Sequence, residues 1–363
     1  MDEKRFFKPI KIGSKVIDPP STRYQGSKRR LLSWIYPVFK RLNFESALDG
    51  FGGTGSVSYL LKFMGKKVTF NDILTSNYNT GLAYIQNDSL TLSKEDIGFI
   101  STKNGFRYLD FISENYDGVY FTSEENHQLD IFVRNIEMMS ELYEGETFRI
   151  KKAIAFHCLN QAALSKRPFN LFHRSNLSIR TREGIERTFG NKTTWERSFF
   201  ELISRYASEH SKKLISNSKS NIATNKDIFQ IHDVNFDLVY LDPPYRKRED
   251  ENPMNYQFLY HFLEGLNNYN IWRDGIDNTR KTKPFRKEES RWSSNHKDFE
   301  NIFHKFEDSV IVVSYWKPGY PTAKELADLL REFKRDVSVY TREHSYSLAK
   351  PMNETREVLI VGK

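Results

Sequence analysis

A single cysteine, Cys158, stands in a chain of 363 residues. With no second thiol, an intrachain disulfide is impossible and no cysteine cluster can hold a metal. The histidines do not make up the lack. His127, His157, His173 and His232 fall in no ligand spacing, and a His-x-Glu paired with Cys-x-x-Cys is missing, so zinc-dependent deamination is unsupported. No apolar run approaches the roughly 18 residues of a membrane span. The charged, aromatic start of the chain (1–11) does not read as a signal peptide. These absences lead to the expectation of a soluble, cytoplasmic protein that works without a metal. Internal repeats and a nuclease motif are also missing, and no Gly-Lys-Ser/Thr follows the glycine-rich loop, which disfavours a P-loop ATPase.

What is present suffices for a buried core: 38% of residues are apolar and 14% aromatic. Lys plus Arg number 55 against 47 Asp plus Glu, a net charge of +8. That excess suits a polyanionic partner, because cations that neutralise phosphates release condensed counterions. It suits a merely basic soluble protein as well. Residues 1–20 read as a loose arm ending at Pro19-Pro20. A short apolar stretch, 45–49, then runs into Gly50-Phe51-Gly52-Gly53-Thr54-Gly55. Residues 56–64 place Val57, Leu60, Leu61 and Met64 on one helical face, closed by Gly65. Residues 67–71 alternate as a strand with Asp72 at its end, which completes a βαβ unit and favours a parallel sheet.

From 85 to 219 the texture is helical and polar, without a clear strand series. Strand pattern returns at 236–241, ahead of Asp242-Pro243-Pro244-Tyr245, and at 310–313. Two further strands, near 337–340 and 358–361, read as an antiparallel pair. The expected organisation is an α/β domain from 21–84 and 220–363, interrupted by a helical insert at 85–219. The polar, basic stretch 272–292 reads equally as a solvated linker or a DNA-contacting loop.

Gly50, Gly52 and Gly55 satisfy G-x-G-x-x-G, and Asp72 follows at the distance where such folds hydrogen-bond a ribose hydroxyl. This implies a nucleoside-bearing cofactor and does not separate a nicotinamide dinucleotide from S-adenosylmethionine. The segment after the next strand separates them. Two consecutive prolines donate no hydrogen bonds but keep their carbonyls as acceptors. The Asp242 carboxylate and the Pro243 carbonyl suit the two N–H bonds of an exocyclic amine, localising its lone pair for attack on a sulfonium methyl. Tyr245 offers a ring face for an extruded base.

In motif order the chain resembles the Dam-like, alpha-order DNA N6-adenine methyltransferases. The elements are Tyr24-Gln25-Gly26-Ser27-Lys28, then Phe51-Gly52-Gly53-Thr54-Gly55, then the 85–219 insert, then Asp242-Pro243-Pro244-Tyr245. The resemblance implies a class I methyltransferase sheet, mostly parallel with a C-terminal antiparallel pair, plus an inserted helical target-recognition domain. It implies S-adenosylmethionine as cofactor, with S-adenosylhomocysteine as product. Tyr24 and Lys28 would meet the methionine end, Phe51, Gly53 and Gly55 the loop beneath it, and Asp72 the ribose. Asp227 falls where the family holds the cofactor's adenine amine, with Asp233 and Asp237 as nearby competitors.

Basic residues gather between 166 and 197 (Lys166, Arg167, Arg174, Arg180, Arg182, Arg187, Lys192, Arg197), interleaved with Phe169, Asn170, Phe172 and Asn176. Lys and backbone amides hold phosphates, while Arg and Asn read guanine and adenine edges. Lys166, Arg167, Asn170, Arg174, Arg180, Arg182 and Lys192 are therefore candidate DNA contacts, against a solvated basic face as the plain alternative. The function expected is methyl transfer to adenine N6 in double-stranded DNA, with base flipping, by a monomer in a restriction-modification setting beside a cognate endonuclease. N4-cytosine methylation, a nicotinamide-dependent oxidoreductase and a non-catalytic DNA-binding protein are the rival readings.

Overall fold

Near-continuous apolar runs in 310–317 and 356–362 leave both faces of those segments fit for burial, as a strand covered on two sides requires. The computed structural model describes residues 8–24, 26–173, 176–182, 192–277, 279, 281–283, 292–317, 319–343 and 356–363. Its strands are β1 (Ile10–Ile12), β2 (Lys15–Ile17), β3 (Ser46–Asp49), β4 (Lys67–Asn71), β5 (Ile222–Thr224), β6 (Leu238–Leu241), β7 (Val310–Lys317), β8 (Val337–Glu343) and β9 (Arg356–Gly362). Seven of them form one sheet in the order β5-β4-β3-β6-β7-β9-β8. The first five run parallel, and β9 lies antiparallel between β7 and β8. This is the mostly parallel class I sheet with its C-terminal antiparallel pair.

Alternation along the strands sorts the core into two layers. Ile311, Val313, Val358 and Ile360 join Phe299, Phe303 and Leu326 on one face. Val312, Leu359 and Val361 point to the other, into a core shared with Leu60, Phe70, Ile154, Leu159 and Phe262. The helices of the 85–219 stretch therefore share one apolar core with that sheet face. The helix Gly145–Ser165 is buried along most of its length and packs against the helices Thr75–Gly81 and Phe199–Lys213. Residues 256–272 also sit among aromatic side chains of the 85–219 stretch, where the Trp272 indole lies 5.2 Å from the Phe111 ring and 5.1 Å from Tyr116.

One reading is corrected and one element was missed. The described part of the N-terminal arm is no loose tail: β1 and β2 form a hairpin whose Ile12 and Ile17 are buried. Arg29 fastens it through Asp18 at 2.8 Å and the Lys8 carbonyl at 3.1 Å. The short edge strand β5 was not legible, because three residues are too few to show a period.

Neighbours on the two sides of β3 decide where a site can form. β3 pairs with β4 on one side and β6 on the other, with Asp49 opposite both Phe70 and Tyr240. The loops leaving the C-terminal ends of β3 and β6 emerge side by side at the point where the connections diverge, which is where open α/β sheets bind ligands.

Candidate active site

The turn after β3 is set by packing as much as by ligand. Gly52 carries the Phe70 ring so closely that a Cβ there would lie 2.1 Å from Phe70 Cε2. Gly53 and Gly55 have φ of 51° and 70°, the left-handed region that glycine adopts without strain. The loop is pinned by Asn71, whose Nδ2 donates to the Gly50 carbonyl (3.1 Å) and to the Lys226 carbonyl (3.0 Å). Asp72 closes it from the next strand: Oδ2 accepts from the Gly53 amide and Oδ1 from the Leu74 amide, both at 2.8 Å.

A cavity of about 1030 Å³ opens over this loop. Around it stand Tyr24 and Lys28, Phe51 and Gly53, Asp72, Asp227, and the whole of Asp242 to Tyr245. The 24–28 stretch is tied to the glycine loop through Ser27 Oγ, 3.1 Å from Thr54 Oγ1 and 3.3 Å from Ser56 Oγ. Tyr24 is sandwiched between Tyr260 (ring centroids 4.2 Å) and Tyr256 (5.5 Å).

Among the described residues Asp49, Asp72, Asp227, Asp242 and Glu264 line the cavity beside Lys28, Arg149, Lys152 and Lys226. Burial pushes Asp49 up to about 7, against the pull of its hydrogen bond from Ser58. Burial also raises Asp72 to about 6, opposed by the Leu74 and Gly53 amides. Asp242 is raised to about 6 by burial, with the Lys28 ammonium pulling it back and Glu357 adding to the rise. Lys28 Nζ lies 3.0 Å from Asp242 Oδ1 and 3.6 Å from Glu357 Oε1. Among the described residues Asp49 Oδ1 is buried with no hydrogen-bond partner. Buried carboxylates, one of them with an unpaired oxygen, and apolar walls from Phe51, Ile73 and Ile228 fit a nucleoside that bears positive charge.

The loop after β6 is held from outside the motif. Trp292 Nε1 donates to the Pro244 carbonyl at 2.7 Å. The same indole packs edge-on against Phe51 (5.2 Å) and stacks near Phe229 (6.2 Å). Tyr245 stacks on Trp316 at 5.4 Å and 21°.

The D12 class of N6 adenine-specific DNA methyltransferases matches residues 24–309, which takes in both loops and everything between them. The chain belongs to that family. Among curated proteins it is 27% identical over 350 residues to the Type II methyltransferase M2.HphI of Haemophilus parahaemolyticus, covering 93% of this chain and 95% of that one. It is 25% identical over 356 residues to the modification methylase LlaI of Lactococcus lactis subsp. lactis, covering 89% of this chain and 51% of that one. The reaction is thus methylation of adenine N6 in DNA, and the cytosine, oxidoreductase and non-catalytic readings fall away. Methyltransferase membership implies S-adenosylmethionine as the methyl source.

Within this methyltransferase, the expected cofactor and motif residues other than Gly55 line one cavity. Asp227 lines it, with Oδ1 accepting from the Phe229 amide at 2.8 Å, whereas Asp237 caps the far end of β3 through the Glu45 and Ser46 amides. Asp233 is exposed on the loop between them. The Pro244 carbonyl already accepts a hydrogen bond from Trp292, while the acceptor role given to the motif was assigned to the Pro243 carbonyl.

The basic stretch needs correction. Lys166 and Arg167 are buried. Lys166 Nζ pairs with Glu125 at 2.8 Å and donates to the Trp195 carbonyl at 2.9 Å. Arg167 donates to the carbonyls of Tyr120, Leu171 and His173. Arg180 joins the same group through Glu125 and the Lys166 carbonyl. Long aliphatic stems with cationic heads served here to satisfy buried carbonyls, which composition does not distinguish from phosphate contacts. What these residues support is the turn between them. Phe169 (φ 60°) and Asn170 (φ 56°) are consecutive non-glycine residues in the left-handed region, and Phe169 is exposed. Asn170 Oδ1 lies 3.5 Å from Arg23 Nη1, next to Tyr24 of the cavity. Arg182 is exposed. Arg174 and the Lys192 side chain lie outside the described residues, as do Arg280 and 284–291 of the 272–292 stretch.

Asn71, Trp292, Tyr256, Tyr260 and Glu357 were missed. Asn71 adjoins Asp72 and had a positional signal. The others reach the site only through tertiary packing.

Proposed function

We propose that this methyltransferase acts on an adenine flipped out of duplex DNA, with Asp242 and the Pro243 carbonyl accepting the two N6–H bonds and Tyr245, backed by Trp316, stacking on the base. The observation that carries this reading is that the loops after β3 and β6 open into one cavity, so a methyl donor over the first lies beside an acceptor set on the second. S-adenosylmethionine supplies, when bound, an electrophilic methyl group on a sulfonium. Asp72 and Asp227 suit its ribose and adenine amine, and Asp49, with Tyr24 nearby, suits the cationic methionine end. The amine lone pair forms the new N–C bond as the C–S electron pair returns to sulfur, and the displaced N6 proton leaves to solvent. Asp242 orients the amine and needs to be ionised to do so.

We read 85–219 as the target-recognition insert. The strained turn at Phe169 and Asn170 supports this, since backbone strain at non-glycine residues is sustained where a side chain must be presented. Phe169, Asn170 and Arg182 are the side chains assigned to DNA. A restriction-modification role beside a cognate endonuclease is the setting suggested by relatives named a Type II methyltransferase and a modification methylase.

Labelled S-adenosylmethionine, unmethylated genomic DNA and nucleoside mass spectrometry test the reading. Label in N6-methyladenine that vanishes with Asp242→Asn, while cofactor binding survives, supports it. Normal turnover by Asp242→Asn refutes the assignment of Asp242.

A further inference from the structure

Glu357 is a carboxylate where a strand wants an apolar side chain. It is the second residue of β9, in register with Trp316 of β7 and Arg342 of β8, and followed by Val358, Leu359, Ile360 and Val361. Its side chain is wholly buried. An ionised group at such a position is retained only beside a cation, because desolvation otherwise costs several kcal/mol, on the order of the whole stability of a domain. The cation is Lys28, itself buried, 3.6 Å away, with Asp242 on its other side at 3.0 Å. Two carboxylates thus share one ammonium. Glu357 lies beyond residue 309, outside the matched family region.

We propose that Glu357 is a positioning residue: it offers Lys28 a second anchor, so that Lys28 withdraws from Asp242 when the target amine arrives and leaves the carboxylate free to accept its N–H bonds. The inference rests on the assignment of Asp242 made above. A lysine ammonium carries three donors and no acceptor, so it holds either carboxylate equally well and needs only a small swing between them. Charge supports the exchange. Asp242 and Glu357, with Asp49 beside them, oppose the charge of Lys28 and of the sulfonium, and go on doing so when the positive charge passes to N6 during attack. Without Glu357, Lys28 would lose the second carboxylate it is paired with and would remain locked on Asp242. Among the described residues, the other titratable groups facing Asp242 are Asp49 from β3, Tyr240 from β6 and Tyr256 from the helix Tyr256–Leu259, none of them a cation.

The test compares Glu357→Gln, Lys28→Met, the double variant and Asp242→Asn in single-turnover methylation, with cofactor affinity by calorimetry and thermal melting of the free protein. Glu357→Gln should lower the rate at least about tenfold with DNA affinity unchanged. The acid limb of its pH–rate profile should move to lower pH, because a like charge beside Asp242 is gone. Its melting temperature near pH 7.5 should hold or rise, since one buried charge has been removed. In the Lys28→Met background the same change should cost nothing further. A Glu357→Gln protein that methylates within about twofold of the parent and with its pH profile, an additive double variant, or a strongly destabilised Glu357→Gln overturns the proposal and leaves Glu357 structural. Full activity of Asp242→Asn instead defeats the underlying assignment, whatever Glu357 does.

Discussion

Gly52 offers a sharp test of why the glycine loop contains glycine. A family motif suggests that each glycine gives room to the cofactor. The structure gives Gly52 a different reason: its would-be Cβ lies 2.1, 2.5 and 2.6 Å from three atoms of the Phe70 ring, far inside the 3.4 Å of ordinary contact. The ring cannot retreat, because a Cβ on Gly81 would already lie 2.4 Å from its Cδ1, so the phenyl fills a slot between two glycines. Gly52→Ala must therefore push the loop toward the cavity. Overpacking of this kind costs about 1–3 kcal/mol, and the upper end applies where neither wall gives. For a chain of this length, about 3 kcal/mol lowers the melting temperature by roughly 4 °C. Displacement of the loop should weaken cofactor binding by about tenfold or more, or ~1.4 kcal/mol. Gly53→Ala is the control. Its φ of 51° costs an alanine about 1 kcal/mol, but the nearest atom to the new Cβ is the Phe51 carbonyl oxygen at 3.9 Å, so no clash follows. Replacing Phe70 by Leu in the Gly52→Ala background should recover part of the loss, giving strongly non-additive melting temperatures. Calorimetric titration with S-adenosylmethionine and thermal scans on the parent, Gly52→Ala, Gly53→Ala, Phe70→Leu and the double variant decide it. Parental affinity and melting temperature for Gly52→Ala, or additivity with Phe70→Leu, would refute the slot argument.

Trp292→Phe removes the hydrogen bond to the Pro244 carbonyl while keeping a ring against Phe51, so we expect about 1 kcal/mol of lost support for the catalytic loop and a several-fold fall in kcat, larger than the change in cofactor affinity; steady-state kinetics with calorimetry compare the two. Lys166→Ala should destabilise the fold by about 3 kcal/mol, because it strips a buried partner from Glu125, whereas Arg182→Ala should leave the melting temperature unchanged and weaken DNA binding in gel-shift titrations. Asp49, Asp72 and Asp242 hold raised values of about 7, 6 and 6. Since these lie above the values in the unfolded chain, the folded protein binds more protons between about pH 4 and pH 7, and the contribution of these groups to stability falls as pH rises through that window. Melting of the free protein across pH 5–7.5 should show this fall, and saturating cofactor, whose charge favours the ionised forms, should flatten it.

Much of the molecule is local and was therefore readable from sequence. The βαβ start, the segment 236–241 ahead of Asp242, the glycine loop and the antiparallel end all rest on period, turn chemistry and short spacing, which a linear string preserves. The family's ordered motifs then brought Tyr24, Lys28, Phe51, Asp72, Asp227 and Asp242 to one cavity, since adjacent parallel strands must release their loops at one edge. Tertiary structure decided what those residues do beside one another. Lys28 faces Asp242 and Glu357 across 329 residues of chain separation from the latter, a pairing that exists only because β9 inserts between β7 and β8. Trp292 reaches Pro244 for the same kind of reason. Lys166 and Arg167 looked like a phosphate-binding run, yet burial turned their donors onto backbone carbonyls. Charge and spacing are properties of the sequence. Whether a cation meets a phosphate, a carboxylate or a carbonyl depends on which surfaces the fold removes from water, and that is settled by packing alone.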